Sequence, residues 1–376
     1  MEKTEIKQPT ERIGSRITDE ALAVLRSDIG KQRELDQYNT VASEDAIRHY
    51  AIGIGDDSPR WLDPAYAQRT RWGGIIAHPT FVMTCGWPRS RGLPGVHALF
   101  TGIDLYCHAP IKAGTRVKAS GGLHDLIERQ GRYAGREFQQ IYETKYHDES
   151  GMLLSTLYSH TFRTERKAGQ STGKYKPIER QSYTDADLVE IEAALDREPQ
   201  ARRGAQPRYW DDVAVGDAVG PIIKGPLTVT DCICFLMGFG YLFVRAHRQW
   251  HEFRRSHPSA GIKNSHGVWD VPERVHWEDE FANQIGMPAA YDYGNQRCAW
   301  FDHGIHDWMG DAGWLRRLKV RVSAPNFVGD TTWVKGTVNA VNEADSSVFV
   351  DMETVDQRGR VTGTAKAEVI LPRKGA

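Results

Sequence analysis

The side chains best suited to chemistry crowd the last third of the chain. Asp302-His303 and His306-Asp307 pair an acid with an imidazole twice, and a spacing of three puts His303 and His306 on one helix face. Such donors could hold a metal ion. A complete site needs more ligands, partners for those ligands and a cavity, so a polar helix end or packing between domains is the simpler reading, and no metal is expected. His247 and His251, four apart, meet the same objection. Arg316, Arg317, Lys319 and Arg321 follow. The last three alternate and face one side of a strand, where they form a solvated face or bind phosphates. His276, taken alone, is a histidine that fills a loop.

The elements that carry these residues are legible from pattern. Helix-like stretches run over Ser43–Ile52 and Thr230–Phe239, each opened by a good capping residue with an acid in the first turn. Second helices are expected over about 79–87 and about 294–308. Strands are expected over Leu99–His108, Thr115–Leu126, Arg136–His147 and Leu153–Thr164, and again over Leu318–Ala324, Thr331–Val341, Ser347–Val355 and Thr362–Leu371. Antiparallel strands wrapped around central helices, an α+β arrangement, explain this order.

The chain has 376 residues, 48 of them Lys or Arg and 49 Asp or Glu. That length allows two domains of ordinary size. The balanced charge excludes a protein held to nucleic acid by bulk electrostatics. No apolar run reaches the length of a membrane span, and the N-terminus carries no signal-peptide pattern. Cys85, Cys107, Cys232, Cys234 and Cys298 lack zinc spacings and read as reduced, mostly buried thiols of a cytoplasmic protein.

Self-comparison is the most informative step. Ala109-Pro110, followed by Gly114-Thr115, returns as Ala324-Pro325, followed by Gly329-Asp330-Thr331. That offset of 215 also pairs Trp61 with His276, Tyr66 with Phe281 and Ala67 with Ala282. Upstream, Ile29-Gly30 and Val41–Ile47 match Val215-Gly216 and Leu227–Ile233 at an offset of 186. One unit is used twice, and the second copy carries 29 extra residues between about 241 and 270. That insertion is rich in aromatics and arginine, and reads as an amphipathic helix over a tunnel or at a subunit contact. The domains are 1–164 and 206–376, joined by a polar, flexible connection over 165–205 with one helix at about 184–196.

The second copy reads Val275-His276-Trp-Glu278-Asp-Glu280-Phe281-Ala282, then Gly-Met-Pro, then Ala289-Ala-Tyr-Asp-Tyr-Gly294 at the start of a helix. This resembles the MaoC-like dehydratases, the (R)-specific enoyl-CoA hydratase family with the hot-dog fold. Their pattern is Gly-Asp-x-Asn-Pro-Leu-His, then an acidic run ending in Phe-Ala, then Ile-Ala-His-Gly opening the central helix. The family's histidine precedes its helix-opening glycine by about 18 residues, and His276 precedes Gly294 by 18. Arg208–Asp217 looks like the family's first strand and turn. In the first copy, Gly55-Asp56-Asp57-Ser58-Pro59-Arg60-Trp61 and Ile76-Ala77-His78-Pro79 fit the same pattern with changes. Trp61 stands where the histidine belongs and Pro79 where the glycine belongs.

The resemblance implies a tandem hot-dog chain with a continuous antiparallel sheet around two central helices. It implies reversible hydration of an enoyl-CoA to a 3-hydroxyacyl-CoA at one site, in the second copy, without a cofactor. Water must be deprotonated as it attacks the β-carbon, a proton must reach the α-carbon, and the thioester oxygen must be held as it gains charge. His276 would move the proton and the Gly294 amide would hold the oxygen. The partnering carboxylate should stand at 271, which is valine, so Asp270 is taken, with Glu273 as second candidate. Arg317, Lys319 and Arg321 would meet the coenzyme A phosphates, and the acyl group is expected to be bulky. The first copy, with neither imidazole nor helix amide, would be silent and would wall the tunnel. A hot-dog thioesterase, or a non-catalytic acyl-CoA-binding subunit, is the alternative, and further pairing into a homo-oligomer is possible but not required.

Overall fold

The two halves of the chain make the same hydrogen bonds. The isolated bridge Ile76↔Lys112 recurs as Tyr291↔Phe327, both residues displaced by 215. Likewise, Ala77 N–H to Ile111 O recurs as Asp292 N–H to Asn326 O. Gly30 N–H to Leu123 O recurs as Gly216 N–H to Val338 O, which fixes 186 as the offset for the first strand of each half. From residue 42 onward the offset is 185, because Ala42 N–H to Thr115 O recurs as Leu227 N–H to Asp330 O. The expected helix start at Thr230 is therefore two residues late. Thr228 is the cap, its hydroxyl accepting from Asp231 N–H, as Ser43 accepts from Ala46 N–H. Both helices end on a glycine with positive φ, Gly55 and Gly240, so the insertion spans 241–270 and is one residue longer than the sequence offsets imply.

The computed structural model describes residues 16–88, 92–93, 96–130, 136–165, 180–257 and 260–375. The expected linker residues 166–179 and the N-terminal fifteen lie outside them. The principal helices are α1 (Asp19–Ser27), α2 (Glu44–Ile54), α3 (Asp185–Ala201), α4 (Val229–Phe239), α5 (His247–Ser256) and α6 (Gly294–Met309). The strands are β1 (Arg33–Glu34), β2 (His97–Cys107), β3 (Lys118–Gln130), β4 (Arg136–His147), β5 (Leu153–Thr164) and β6 (Ala218–Lys224), then β7 (Ile262–Lys263), β8 (Trp269–Asp270), β9 (Trp314–Val322), β10 (Thr332–Asn342), β11 (Ser347–Asp356) and β12 (Val361–Ile370). Ten of them form one antiparallel sheet in the order β1-β3-β4-β5-β2-β9-β12-β11-β10-β6. The other two, β7 and β8, pair within the insertion.

The halves meet where β2 pairs with β9, Asp104 opposite Lys319 and Tyr106 opposite Arg317. A bulge at Gly102 lets this happen: a Cβ there would lie 1.9 Å from Val320 O. A second junction is the crossing of α2 and α4. Gly53 and Gly238 face each other's backbones, and a Cβ on Gly238 would sit 2.3 Å from His49 O. Close helix contact of this kind needs small residues, since any side chain would push backbones apart.

Only one of the two expected central helices is a full α-helix. All fifteen residues of α6 after Gly294 are buried, and it packs against β2, β6, β9, β10 and β12. Its counterpart is a 3-10 run over Pro79–Cys85. Proline opens that run, and the carbonyls that would continue it are taken elsewhere: Thr84 O by Asn39 N–H, Cys85 O by the Gln37 amide and Gly86 O by the Tyr146 hydroxyl. The linker also departs from expectation. Its helix α3 runs five residues further than read, to Ala201, and docks against β6. All five cysteines are free, and only Cys234 is not fully buried. No described helix is long and apolar enough to cross a membrane.

Gly238→Val should lower the free energy of unfolding by about 3 kcal/mol, because the clash is with backbone rather than a movable side chain. Urea denaturation measures this.

Candidate active site

His276 ends a short 3-10 turn, Pro272–His276, and its orientation is fixed from two sides. Its Nδ1–H donates to Tyr291 O at 2.7 Å, leaving the lone pair on Nε2. Its ring stacks on Tyr293 with centroids 3.7 Å apart. Tyr293 is the residue just before Gly294, so the imidazole lies against the start of α6. That helix start is itself held by a buried pair: Arg297 Nε donates to Asp292 Oδ2 at 2.9 Å, and Asn326 N–H donates to Asp292 Oδ1 at 3.1 Å. Burial pushes the His276 pKa down to about 4, so the ring is neutral near pH 7.

The other expected site residues fall less simply. Asp270 ends the β7–β8 ribbon, and its carboxylate accepts from Val271 N–H at 2.7 Å and from Asn264 Nδ2 at 3.4 Å. Among the described residues it makes no hydrogen bond to His276. Glu273 lies nearer: after burial its charge is among the influences that raise the pKa values of the Tyr241 and Tyr293 hydroxyls, and Tyr293 is the ring on which His276 stacks. A Cβ on Gly294 would fall 2.3 Å from Phe100, so this glycine makes room for an aromatic ring of the first half. Arg317, Lys319 and Arg321 do share a strand face, but they already have partners on β2. Arg317 covers the Tyr106 ring at 4.7 Å, Lys319 is 3.8 Å from Asp104, and Arg321 is 2.6 Å from the same carboxylate.

A second polar centre, buried except for Glu198 and Arg202 at its margin, lies where the sequence expected a silent half. Asp56 accepts from Trp61 Nε1 at 2.9 Å and from Ser58 N–H. His78 stacks on Trp61 at 3.9 Å, with Nε2 3.1 Å from Asp56 and Nδ1 3.9 Å from Asp302. Asp302 accepts from Thr80 N–H at 2.8 Å and from the Thr80 hydroxyl at 2.5 Å, and His306 Nδ1 donates to its backbone oxygen at 2.9 Å with Oδ1 2.7 Å away. His303, one residue on, has Nδ1 2.8 Å from Lys224 Nζ and Nε2 3.3 Å from Asp307 and 3.5 Å from Glu198 of the linker helix. Arg202 closes the group with a 2.8 Å bond to Asp307. Neither half supplies this centre alone.

Two triads here could hold a metal ion by proximity, His78–Asp302–His306 and Asp56–His303–Asp307, with donor atoms within 4.8 Å of each other. The second set does not fit one. Lys224 donates to His303 Nδ1, which places the proton on Nε2 and leaves no lone pair for a metal. In the first set, burial disfavours a charged His78, but Asp302 and Asp56 outweigh it and raise its pKa. The proton this favours on His78 competes with a metal ion for the same ring.

On sequence alone His303 and His306 lack the further ligands, ligand partners and cavity that a site needs. The useful signal was the spacing of four, which joins Asp302 to His306 and His303 to Asp307.

Comparison with solved structures decides the architecture. A structure described as a MaoC-like dehydratase superposes with a TM-score of 0.64 at 18% identity, covering 92% of this chain and 99% of the other. A conserved hypothetical protein from Mycobacterium tuberculosis, described as having a double hotdog fold, gives 0.54 at 10% identity over 91% and 96%. This chain is a double hot-dog. A MaoC domain dehydratase from Chloroflexus aurantiacus shares the fold with a TM-score of 0.59 at 11% identity, over 92% and 96% of the two chains. Residues 27–156 of the double hot-dog, its first half, match the family described as the FAS1-like dehydratase domain region. No curated protein sequence matches the chain.

The paired histidine makes a signed prediction. His78 has a raised pKa, so its contribution to stability is fully present below the unfolded value of 6.5 and is lost as pH rises through the folded value. Wild-type Tm should therefore fall on the alkaline side of that window, and His78→Gln should flatten the fall. Thermal unfolding followed from pH 6 to 10 tests this.

Proposed function

We propose that this double hot-dog is a hydratase or dehydratase acting on an acyl thioester, with its reacting atoms at His276. The observation that carries the reading is the pairing of His276 Nδ1 with Tyr291 O, which points the free Nε2 lone pair away from the backbone beside the N-terminus of α6. The thioester oxygen would accept from the Gly294 amide, where the helix dipole favours its developing charge. His276 Nε2 would take the proton from water as the oxygen attacks the β-carbon, then return it to the α-carbon. Coenzyme A is the proposed carrier. Its phosphates would bind Arg317, Lys319 and Arg321 by displacing Asp104 from the last two.

Asp270 remains the proposed carboxylate partner on sequence grounds, and it would have to leave Asn264 to serve. Glu273 needs no such rearrangement to stay beside Tyr293. The valine at 271 favours the alternative of an acyl-CoA-binding subunit without turnover, and a thioesterase would send water to the carbonyl carbon instead. Products from a panel of enoyl-CoA thioesters separate the three: hydroxyacyl-CoA, no turnover with binding, or free CoA.

His276→Ala should cut kcat by roughly 10²–10⁴-fold, the usual share of a positioned acid or base. With its pKa at about 4, the acid limb of kcat/KM should lie near pH 4 rather than near 6.5. A limb at 6.5 would assign the proton to a different group.

A further inference from the structure

We propose that Tyr241, the first residue of the insertion, sets the acyl length accepted at His276 and restricts the substrate to a 2-enoyl thioester with a small group on its β-carbon. The substrate class rests on the reading above; the wall that Tyr241 forms is a matter of packing and does not depend on it.

The two halves show where Tyr241 stands. Since α2 and α4 end alike, on Gly55 and Gly240, Tyr241 follows its helix as Asp56 follows its own. Asp56 Oδ2 lies 3.1 Å from His78 Nε2. Tyr241 lies against Tyr293, the match of His78 at the offset of 215, with ring centroids 5.3 Å apart. The stacking of Trp61 on His78 at 3.9 Å is likewise matched by that of His276 on Tyr293 at 3.7 Å. Tyr241 therefore stands beside the second-half site where the first half has its carboxylate. Its hydroxyl lies against the side chain of Asn295, one residue after Gly294.

Beyond Tyr241 there is space that a longer acyl group could use. A cavity of about 200 Å³ is lined by Leu35, Trp87, Leu123, Tyr142 and Leu242, with charged residues at its rim. A smaller space of about 30 Å³ shares Trp87 and Leu242 with it and ends at Tyr241. That neck has room for a water or two and not for an alkyl chain. Both of its walls lead back to the site. Tyr241 is one ring from His276, through Tyr293, and Trp87 packs at 5.6 Å on Phe100, the ring that fills the room left by Gly294. Tyr241 is held from three sides, by Phe239 at 5.0 Å, Phe243 at 5.1 Å and Tyr293 at 5.3 Å, so moving it aside costs aromatic packing. An acyl chain running from Gly294 toward the cavity meets Tyr241 and Trp87 first. The bulky acyl group expected from the sequence thus gives way to a small one, because the insertion closes the space instead of enlarging it.

The test is the ratio of kcat/KM for 2-decenoyl-CoA to that for 2-butenoyl-CoA, measured on the full chain, with circular dichroism to check that each variant is folded. The wild type should favour the butenoyl thioester by about 10-fold or more, and Tyr241→Ala should raise the ratio by about 10²-fold. Trp87→Ala opens the neck from the other side and should raise it too, whereas Tyr241→Phe keeps the ring and should leave the ratio where it is. A general loosening of the site would lower both rates without moving the ratio. A wild type that hydrates both thioesters equally well, or a ratio unmoved in folded Tyr241→Ala or Trp87→Ala, overturns the wall and leaves the hydratase reading standing. Hydration of neither thioester overturns that reading, and calorimetric binding of the saturated butanoyl-CoA and decanoyl-CoA then decides the wall. Tighter butanoyl-CoA binding by the wild type, with the difference lost in Tyr241→Ala, upholds it; equal binding, or none, overturns it.

Discussion

An ionisable group buried in protein must find its partners within protein, and α6 buries five of them. Arg297, Asp302, His303, His306 and Asp307 all lie on this one helix, each at 7% exposure or less. An unpaired ion among them would cost several kcal/mol, a large part of a domain's whole margin. Their partners come from everywhere else. The first half gives Asp56, His78 and Thr80, the sheet edge gives Lys224, and the linker gives Glu198 and Arg202. Satisfying one helix therefore fixes the relation of the two halves and the linker together.

That arrangement explains why the halves, alike in hydrogen bonding, differ in chemistry. In the first half the polar groups of both halves converge on Asp56, and Trp61 serves as a donor to that carboxylate in the place where the resemblance puts a histidine. In the second half Val271 stands at the matching position, so His276 is left with backbone and aromatic neighbours alone. One site is rich in ionisable groups and closed; the other is poor in them and bounded by Tyr241, Tyr291 and Tyr293. The insertion of 241–270 contributes Tyr241 to that aromatic wall.

The repeat was plain in the sequence because turns constrain residue type: the Ala-Pro and Gly-Thr or Gly-Asp steps at 109–115 and 324–331 survive in both copies. Strand bounds such as Arg136–His147 and Leu153–Thr164 match as read. The central run after Pro79 did not, since competition from Gln37, Asn39 and Tyr146 for its carbonyls is a tertiary effect with no local pattern. The buried polar centre was illegible for a related reason. Lys224 and Glu198 look like ordinary surface charges until folding brings them beside His303. The roles expected for Gly294 and the Arg317–Arg321 face turned on contacts with Phe100, Tyr106 and Asp104, which lie some two hundred residues away in sequence.

The sheet has only two ends, and both are poor templates for another strand. At one end β1 pairs through two residues, Arg33 and Glu34, and both are exposed. At the other, β6 carries Pro221 in its middle, which has no N–H to offer, and α3 packs along it. Short, charged, proline-bearing or covered edges are how sheet proteins avoid sticking to each other. A second copy of this chain would have little to gain by adding a strand at β1 or β6.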